Sequence, residues 1–224
     1  MDEMQFWHEV DAGAATEPQS RSFPEPRLIG KDVYLRTVTP ADYAAIQEIE
    51  MSGGLATRWR FRGRTMSPAE WAQSFWKDVL VQHLILERKG DEAIGLAVAY
   101  RPNFQDRYAY VAALRFATQA TPLMLFGLSL FMDHIFTFWD FRKLYFETPE
   151  YNYGQFASGE GRWFETEGRL RAHLFHGGHY WDELILATTR ERWMEHGKPV
   201  AMTQWAPNLR RVRVRLPSGA ELTP

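Results

Sequence analysis

The sequence predicts a mixed α/β fold in which one mixed sheet carries helices on both faces. Three observations predict it. The chain has 224 residues, of which 45% are apolar and 15% aromatic, so it can bury a substantial core as one domain. Runs with alternating apolar and polar residues, typical of strands, are interspersed with segments that begin with helix-capping signals. Their predicted order is one strand, two helices, three strands, a helix, a strand, a helix and two strands.

The predicted strands are short runs of alternating and β-branched or aromatic residues. They cover residues 33–38, 83–88, 92–100, 107–116, 143–148, 169–175 and 180–188. Two of the connections between them contain the glycines that tight hairpin turns require. These are Lys89-Gly90-Asp91 and His176-Gly177-Gly178.

The predicted helices begin at recognisable N-terminal signals. Thr39-Pro40-Ala41-Asp42 offers a capping hydroxyl, a proline at the first helical position and an acid near the positive end of the helix dipole. Ser67-Pro68-Ala69-Glu70 is a capping box. A glycine-interrupted helix is predicted from about Asn152 to Trp163.

The longest helix is predicted from Pro122 to Trp139 and is strongly apolar. Asp133 and His134 interrupt its apolar run, and at 1.5 Å per residue it spans only about 27 Å. It is therefore predicted to be a buried core helix, and no membrane partner is expected.

Composition narrows the function classes. The formal net charge of −2 gives no global field that would attract nucleic acid or a membrane surface. The absence of cysteine excludes a disulfide framework, a thiolate zinc site and a cysteine nucleophile. His173, His176 and His179 are evenly spaced but fall across a predicted hairpin turn, so no metal site is predicted. The acidic opening lacks the features of a secretory signal, which predicts a cytoplasmic location.

Three regions are predicted along the chain. Residues 1–27 form an acidic N-terminal arm, in which Phe6-Trp7 could dock on the body or on a second subunit, so a homodimer is one possible assembly. Residues 28–200 form the folded domain. Residues 201–224 form a basic C-terminal extension, in which four arginines between Arg210 and Arg215 indicate an exposed strand.

Two blocks of residues resemble a known family. The opening block runs from Leu28 to Asp42, and the closing block contains Asn152, Phe164 and Glu167 to Arg171 and ends at Glu191-Arg192-Trp193. Over these residues the sequence resembles the GNAT superfamily of N-acyltransferases, in its ribosomal-protein N-acetyltransferase-like branch. The resemblance implies a mostly antiparallel sheet splayed open in the middle. It also implies transfer of an acyl group from acetyl-CoA or another acyl-CoA to a small-molecule or peptide amine, without a metal.

The resemblance also suggests site residues. Glu147 is the candidate base, Asn152 the contact to the pantetheine arm, and Tyr153 the candidate acid for the departing thiolate, with Tyr151 as an alternative. Asp182 is expected to be structural or to contact the amine. The cofactor-binding residues that the resemblance suggests are Leu114, Phe116, Gln119, Ala120, Thr121, Leu123, Met124 and Asn152.

One segment departs from the family pattern. The loop that holds the pyrophosphate of coenzyme A in the family has two glycines, whereas here Gln119 is retained and Pro122 and Met124 stand among the positions that follow. Proline has no amide hydrogen to donate to a phosphate. Two alternatives to an acyl-CoA donor therefore stay open: a donor carried by a carrier protein or an aminoacyl-tRNA, and a non-catalytic binding protein with the same fold.

Overall fold

The computed structural model describes residues 27–52, 59–60, 63–116, 122–155, 157–204, 214–215 and 221–222. The strands are β1 (Arg27–Ile29), β2 (Val33–Thr37), β3 (Val79–Glu87), β4 (Ala93–Asn103), β5 (Tyr108–Arg115), β6 (Lys143–Pro149), β7 (Glu165–His176), β8 (His179–Thr189), β9 (Val214–Arg215) and β10 (Glu221–Leu222). The α-helices are α1 (Tyr43–Met51), α2 (Pro68–Phe75), α3 (Pro122–Phe138), α4 (Glu150–Tyr153), α5 (Arg190–Arg192) and α6 (Lys198–Thr203).

The first eight strands form one sheet in the order β1-β2-β3-β4-β5-β6-β8-β7. Neighbouring strands are antiparallel except β5 and β6, which run parallel and are joined by the crossover through α3. The mostly antiparallel mixed sheet that the resemblance implies is confirmed. The order of the main elements is as predicted, apart from the additional edge strand β1. The parallel pair in the middle of the sheet is where the candidate site lies.

Helix α3 covers one face of the sheet. Phe131 and Ile135 are fully buried against strand residues that include Leu35 and Ile85. Gly127 allows the helix to approach closely, because a Cβ atom there would lie 2.2 Å from Cγ2 of Ile85. The apolar run of α3 is therefore a core-facing surface, and no helix in the described part of the chain is long and apolar enough to cross a membrane.

Helices α1 and α2 cover the opposite face. The capping box at the start of α2 forms as the sequence predicts, because Glu70 N donates to Ser67 Oγ while Ser67 N donates to the Glu70 carboxylate. Trp71 and Phe75 of α2 stack with ring centroids 4.5 Å apart and are buried against the sheet. The buried cluster that these two helices form includes residues of β2 to β5 and none of β6, so among the described residues they leave the far half of this sheet face uncovered.

The helix predicted from Asn152 to Trp163 is wrong. The structure has the four-residue α4 and, after it, a single 3₁₀ turn at Ala157–Gly159. Three glycines in this stretch remove helix propensity, and Gly161 has a φ of +75°, which a right-handed helix does not allow. The chain instead turns back to begin β7.

The packed body extends past the predicted boundary at residue 200. Ala201 in α6 is fully buried, and the main-chain oxygen of Gln204 accepts a hydrogen bond of 2.8 Å from Lys31 N. The Gln204 side chain also exchanges two hydrogen bonds with Asp32. In the extension, β9 and β10 pair with each other in a separate antiparallel ribbon. Residues 1–26 of the predicted arm lie outside the described residues.

Candidate functional site

The sheet opens between β5 and β6. Their pairing is limited to residues 108–110 of β5 and 143–145 of β6, after which β5 continues to Arg115 and β6 to Pro149 without bonding to each other. Strand β6 stays paired with β8 along its whole length. The result is a wedge-shaped gap, which opens toward the start of α3 on one side and α4 on the other.

The main chain of β5 supplies hydrogen-bonding groups to this gap. In an antiparallel ladder the main-chain groups of alternate residues point to opposite sides of the strand. Phe116 N donates to Ile94 O of β4, at 2.9 Å, so even-numbered residues here point toward β4. The odd-numbered residues Val111, Ala113 and Arg115 therefore direct their amide and carbonyl groups into the gap.

A row of tyrosines crosses the sheet at the closed end of the gap. Tyr100 of β4, Tyr110 of β5 and Tyr145 of β6 stand side by side, with ring centroids 5.7 and 5.5 Å apart. Tyr108 packs edge-on against Tyr110 and Tyr145. We call Tyr100, Tyr110 and Tyr145 the tyrosine row. It lies on the face of the sheet that α1 and α2 leave open.

Two carboxylates lie beside the tyrosine row. Glu147 is two residues beyond Tyr145 on β6 and is exposed, whereas Glu183 of β8 is buried and its Oε2 lies 3.3 Å from His173 Nε2. Burial raises the pKa of Tyr100 to about 12, and the charges of Glu147 and Glu183 contribute to that rise. The Tyr100 phenol is therefore neutral at physiological pH, next to a locally negative site.

Helix α4 follows directly from β6 and carries two residues that the sequence suggested. Asn152 is half-buried, and its main-chain oxygen accepts from Gln155 N at 3.1 Å. The Tyr153 hydroxyl donates a 2.6 Å hydrogen bond to Glu160, which raises the pKa of Tyr153. Tyr151 packs against Trp181, with ring centroids 5.1 Å apart. The Tyr153 hydroxyl is therefore engaged by Glu160 in this structure.

The suggested cofactor residues on β5 do not face the gap. Leu114 is buried against the α1–α2 side, and the Phe116 amide is used by β4. Their even position in the ladder is the physical reason, since the alternate main-chain groups point the other way. Gln119, Ala120 and Thr121 lie outside the described residues.

The first turn of α3 places its two suggested residues differently. Leu123 lines an open depression of about 450 Å³ together with Lys31, Arg88 and Lys89. Met124 instead packs down onto the sheet, because its sulfur lies 2.6 Å from where a Cβ atom on Gly95 would be. The side chain of Met124, a cofactor-binding residue that the resemblance suggested, is therefore directed into the core.

A buried polar cluster forms the wall of the open face toward α1 and α2. Glu50 is 2% exposed and accepts hydrogen bonds from the indoles of Trp59 and Trp71, at 2.6 and 2.9 Å. Arg60 lies 3.9 Å from Glu50 and donates to Gln82 and to the main chain of Phe75. The cluster fixes Trp59 and Arg60, which lie in the segment between α1 and α2, against the sheet.

Other residues singled out in the sequence have structural contacts. Asp182 accepts from Arg169 Nη1 at 3.0 Å and from Ala172 N at 2.8 Å, so it stabilises the irregular part of β7. Among the described residues, no three histidine, aspartate or glutamate side chains are arranged to bind a metal ion.

Sequence reasoning missed Glu183 and the tyrosine row. Glu183 had a usable signal, because it is an acid at an inward position of β8, between Trp181 and Ile185. The row had none, because its members lie on three strands and only the register brings them together.

No protein-family model and no curated protein matches this sequence. Solved structures do match its fold. The spermidine N-acetyltransferase of Vibrio cholerae in complex with CoA and spermine matches with a TM-score of 0.63 and 17% identity, over 73% of this chain and 98% of that chain. RimL, a ribosomal L7/L12 alpha-N-protein acetyltransferase in complex with coenzyme A, matches with a TM-score of 0.62 and 16% identity, over 72% and 96% of the two chains.

A third match is the ribosomal-protein-S5-alanine acetyltransferase of Vibrio fischeri, with a TM-score of 0.58 and 13% identity over 75% of this chain and 99% of that chain. At such identities the likeness shows the fold. The chain has the GNAT fold, and its β5–β6 gap is the splay that this fold implies.

Proposed function

We propose that the chain is an N-acyltransferase that transfers an acyl group from a CoA thioester to an amine by direct attack. One observation carries the proposal: the unpaired stretch of β5 offers main-chain groups to a gap whose other wall carries Glu147. The amide groups of a pantetheine arm can extend the β5 ladder at Val111, Ala113 and Arg115. Two of the solved structures with this fold contain CoA.

Each residue then has a defined task in the reaction. Glu147 accepts the proton of the incoming ammonium, directly or through water, and the amine nitrogen attacks the thioester carbonyl carbon. Main-chain N–H groups of β5 stabilise the resulting oxyanion. The C–S bond then breaks, the cationic nitrogen loses its extra proton to leave a neutral amide, and the departing thiolate receives a proton.

Asn152 and Tyr153 complete the proposed donor side. Asn152 contacts the pantetheine arm from α4, at the mouth of the gap. The raised pKa of Tyr153 keeps its phenol protonated, and we assign it the protonation of the thiolate once its hydrogen bond to Glu160 exchanges. Lys31, Arg88 and Lys89, which lie near the start of α3, are the candidate contacts for the phosphates.

The proposal is tested by titration and by turnover. Calorimetry with coenzyme A and acetyl-CoA is expected to show micromolar binding, and absence of binding at millimolar ligand would contradict an acyl-CoA donor. Replacing Glu147 by Gln is expected to lower kcat about 10² to 10⁴-fold while the affinity for CoA is unchanged. Glu150→Gln, three residues further along, is the matched control and is expected to retain activity. Unaltered turnover by Glu147→Gln would exclude it as the base.

A further inference from the structure

Arg101 occupies a strained position at the edge of the tyrosine row. Its φ is +46°, in the left-handed region that disfavours residues with a side chain, and its amide donates to Asp78 O at 2.7 Å. The pairing of β4 with β5 is irregular at this point, between Tyr100 and Asn103. Strained backbone of this kind concentrates at functional sites, where the surrounding structure maintains it.

The irregularity turns the Arg101 side chain over the tyrosine row. Its guanidinium carbon lies 5.8 Å from the centroid of the Tyr100 ring. Burial raises the pKa of Tyr110, the charge of Glu147 raises it further, and the charge of Arg101 opposes the rise. Tyr110 therefore lies within electrostatic reach of both Glu147 and Arg101.

Arg101 differs from the other cations near this face in having no carboxylate partner in the part of the chain that the structure describes. Arg60 is paired with the buried Glu50, and Lys143 with Glu167. Arg101 is exposed, and its ring contact with Tyr100 leaves its hydrogen-bond donors available. An anion placed there would therefore pair with a guanidinium that has no carboxylate partner among the described residues.

The distance across the tyrosine row sets a minimum length for a ligand that carries such an anion and also reaches Glu147. The row crosses two strand spacings, so the main chain at Arg101 on β4 lies about 10 Å or more from the main chain at Glu147 on β6. An α-amino acid is too short to place its amine at Glu147 and its carboxylate at Arg101. A chain of several methylene groups is long enough, and it would lie over the aromatic rings of the row.

We propose that the acyl acceptor is an ω-amino carboxylate, a flexible chain with a primary amine at one end and a carboxylate at the other. Its carboxylate binds Arg101 and its methylene groups cover the tyrosine row, so that its amine reaches Glu147 at the gap. A carboxylate is preferred over a phosphate because one guanidinium balances one negative charge, and a dianion would leave excess charge beside Glu147 and Glu183. This inference rests on the proposed function for the role of the amine.

Equilibrium binding tests the inference without turnover. Calorimetric titration of the full chain with 6-aminohexanoate, with hexylamine and with 6-aminohexyl phosphate compares a carboxylate, no anion and a phosphate on the same chain. The carboxylate is expected to bind about ten-fold or more tightly than hexylamine, as one charge-assisted hydrogen-bond pair would provide. Equal or weaker binding of 6-aminohexanoate would overturn the inference, as would tighter binding of the phosphate.

Paired variants assign the effect to Arg101. Arg101→Gln is expected to abolish the preference for 6-aminohexanoate and leave hexylamine binding unchanged. Arg107→Gln is the matched control, because Arg107 is an exposed arginine of the same hairpin with φ +57° and has Asp140 as a partner at 3.1 Å. A preference that survives in Arg101→Gln overturns the inference.

Failure of this inference is distinguishable from failure of the proposed function. If acetyl-CoA acylates hexylamine as well as 6-aminohexanoate, the transferase stands and the ω-amino carboxylate does not. If neither amine is acylated but the carboxylate preference depends on Arg101, the binding site stands and the transferase fails.

Discussion

At the scale of single residues, the contact between Met124 and Gly95 determines that the Met124 side chain packs on the sheet. Met124 stands in the first turn of α3, beside the predicted pyrophosphate loop, yet its sulfur rests on the main chain of β4 at Gly95. Any larger residue at position 95 would push the methionine away from the sheet. The glycine therefore permits the close packing of the start of α3, which in turn positions the entrance to the gap.

Replacing Gly95 by Ala is expected to destabilise the protein by about 1 to 3 kcal/mol. The new Cβ would lie 2.7 Å from Leu114 O, a main-chain atom that cannot move without disturbing β5, as well as 2.6 Å from the Met124 sulfur. Urea denaturation measures the change. Gly90→Ala is the control, because no atom lies within 4 Å of its added Cβ. Equal losses in the two variants would show that packing at Gly95 is not the cause.

At the scale of elements, α1 and α2 are joined by a buried charge. The Glu50 carboxylate of α1 is buried, and it accepts from Trp71 of α2 and from Trp59 of the intervening segment. Burial raises the pKa of Glu50, and the charge of Arg60 opposes that rise. Removing one member of such a cluster leaves buried donors without an acceptor, which costs more than the bond itself contributes.

Glu50→Gln is therefore expected to lower the free energy of unfolding by about 1 to 3 kcal/mol, since an amide oxygen cannot replace both carboxylate oxygens as acceptors for two indoles. Chemical denaturation followed by tryptophan fluorescence measures this directly. Glu48→Gln changes an exposed residue of the same helix and is expected to stay within about 0.5 kcal/mol of the wild type. A neutral Glu50→Gln would mean that the cluster does not stabilise the helix pair.

Local signals predicted some elements well and others poorly. The Ser67 capping box and the Gly177-Gly178 turn were predicted because each depends on a few adjacent residues, and both glycines have positive φ in the structure. The helix predicted from Asn152 does not form beyond Tyr153, because the glycines in this stretch lower its helix propensity. The irregular bend at Arg101 could not be predicted, because arginine has no preference for positive φ and the pairing with β5 imposes it.

At the scale of the whole molecule, the candidate site depends on the sheet as a unit. The gap exists because β5 and β6 share only three residue pairs before they diverge. On their other sides, β5 stays paired with β4 and β6 stays paired with β8. Glu147 was suggested by resemblance, but the tyrosine row and Arg101 require the registers of three strands. Such long-range register is set by packing across the sheet and is not encoded in any one segment.

The interface between α3 and the sheet also makes stability depend on pH. His83 of β3 and His134 of α3 face each other with ring centroids 5.7 Å apart, and the Nδ1 atoms of both are buried without a hydrogen-bond partner among the described residues. Burial lowers the pKa of His83 to about 4, with a further contribution from His134. Burial also lowers the pKa of His134, which the charge of Asp133 partly opposes.

A histidine that is neutral in the folded chain but has an ordinary pKa of 6.5 when unfolded binds more protons in the unfolded state as the pH falls. The contribution of the buried neutral His83 to the free energy of unfolding is thus fully present above pH 6.5, and it decreases as the pH falls toward 4. For His83 alone we expect a loss of about 2 kcal/mol between pH 7 and pH 5, measured by urea denaturation at each pH. His83→Gln should remove most of that dependence, whereas His179→Gln, at the exposed hairpin tip, should retain it.

The comparison uses the change of the free energy of unfolding with pH and not its absolute value, so an overall destabilisation by His83→Gln does not obscure it. An unchanged slope in His83→Gln would show that this histidine is already accessible to protons in the folded protein, and that α3 does not seal the sheet at that point.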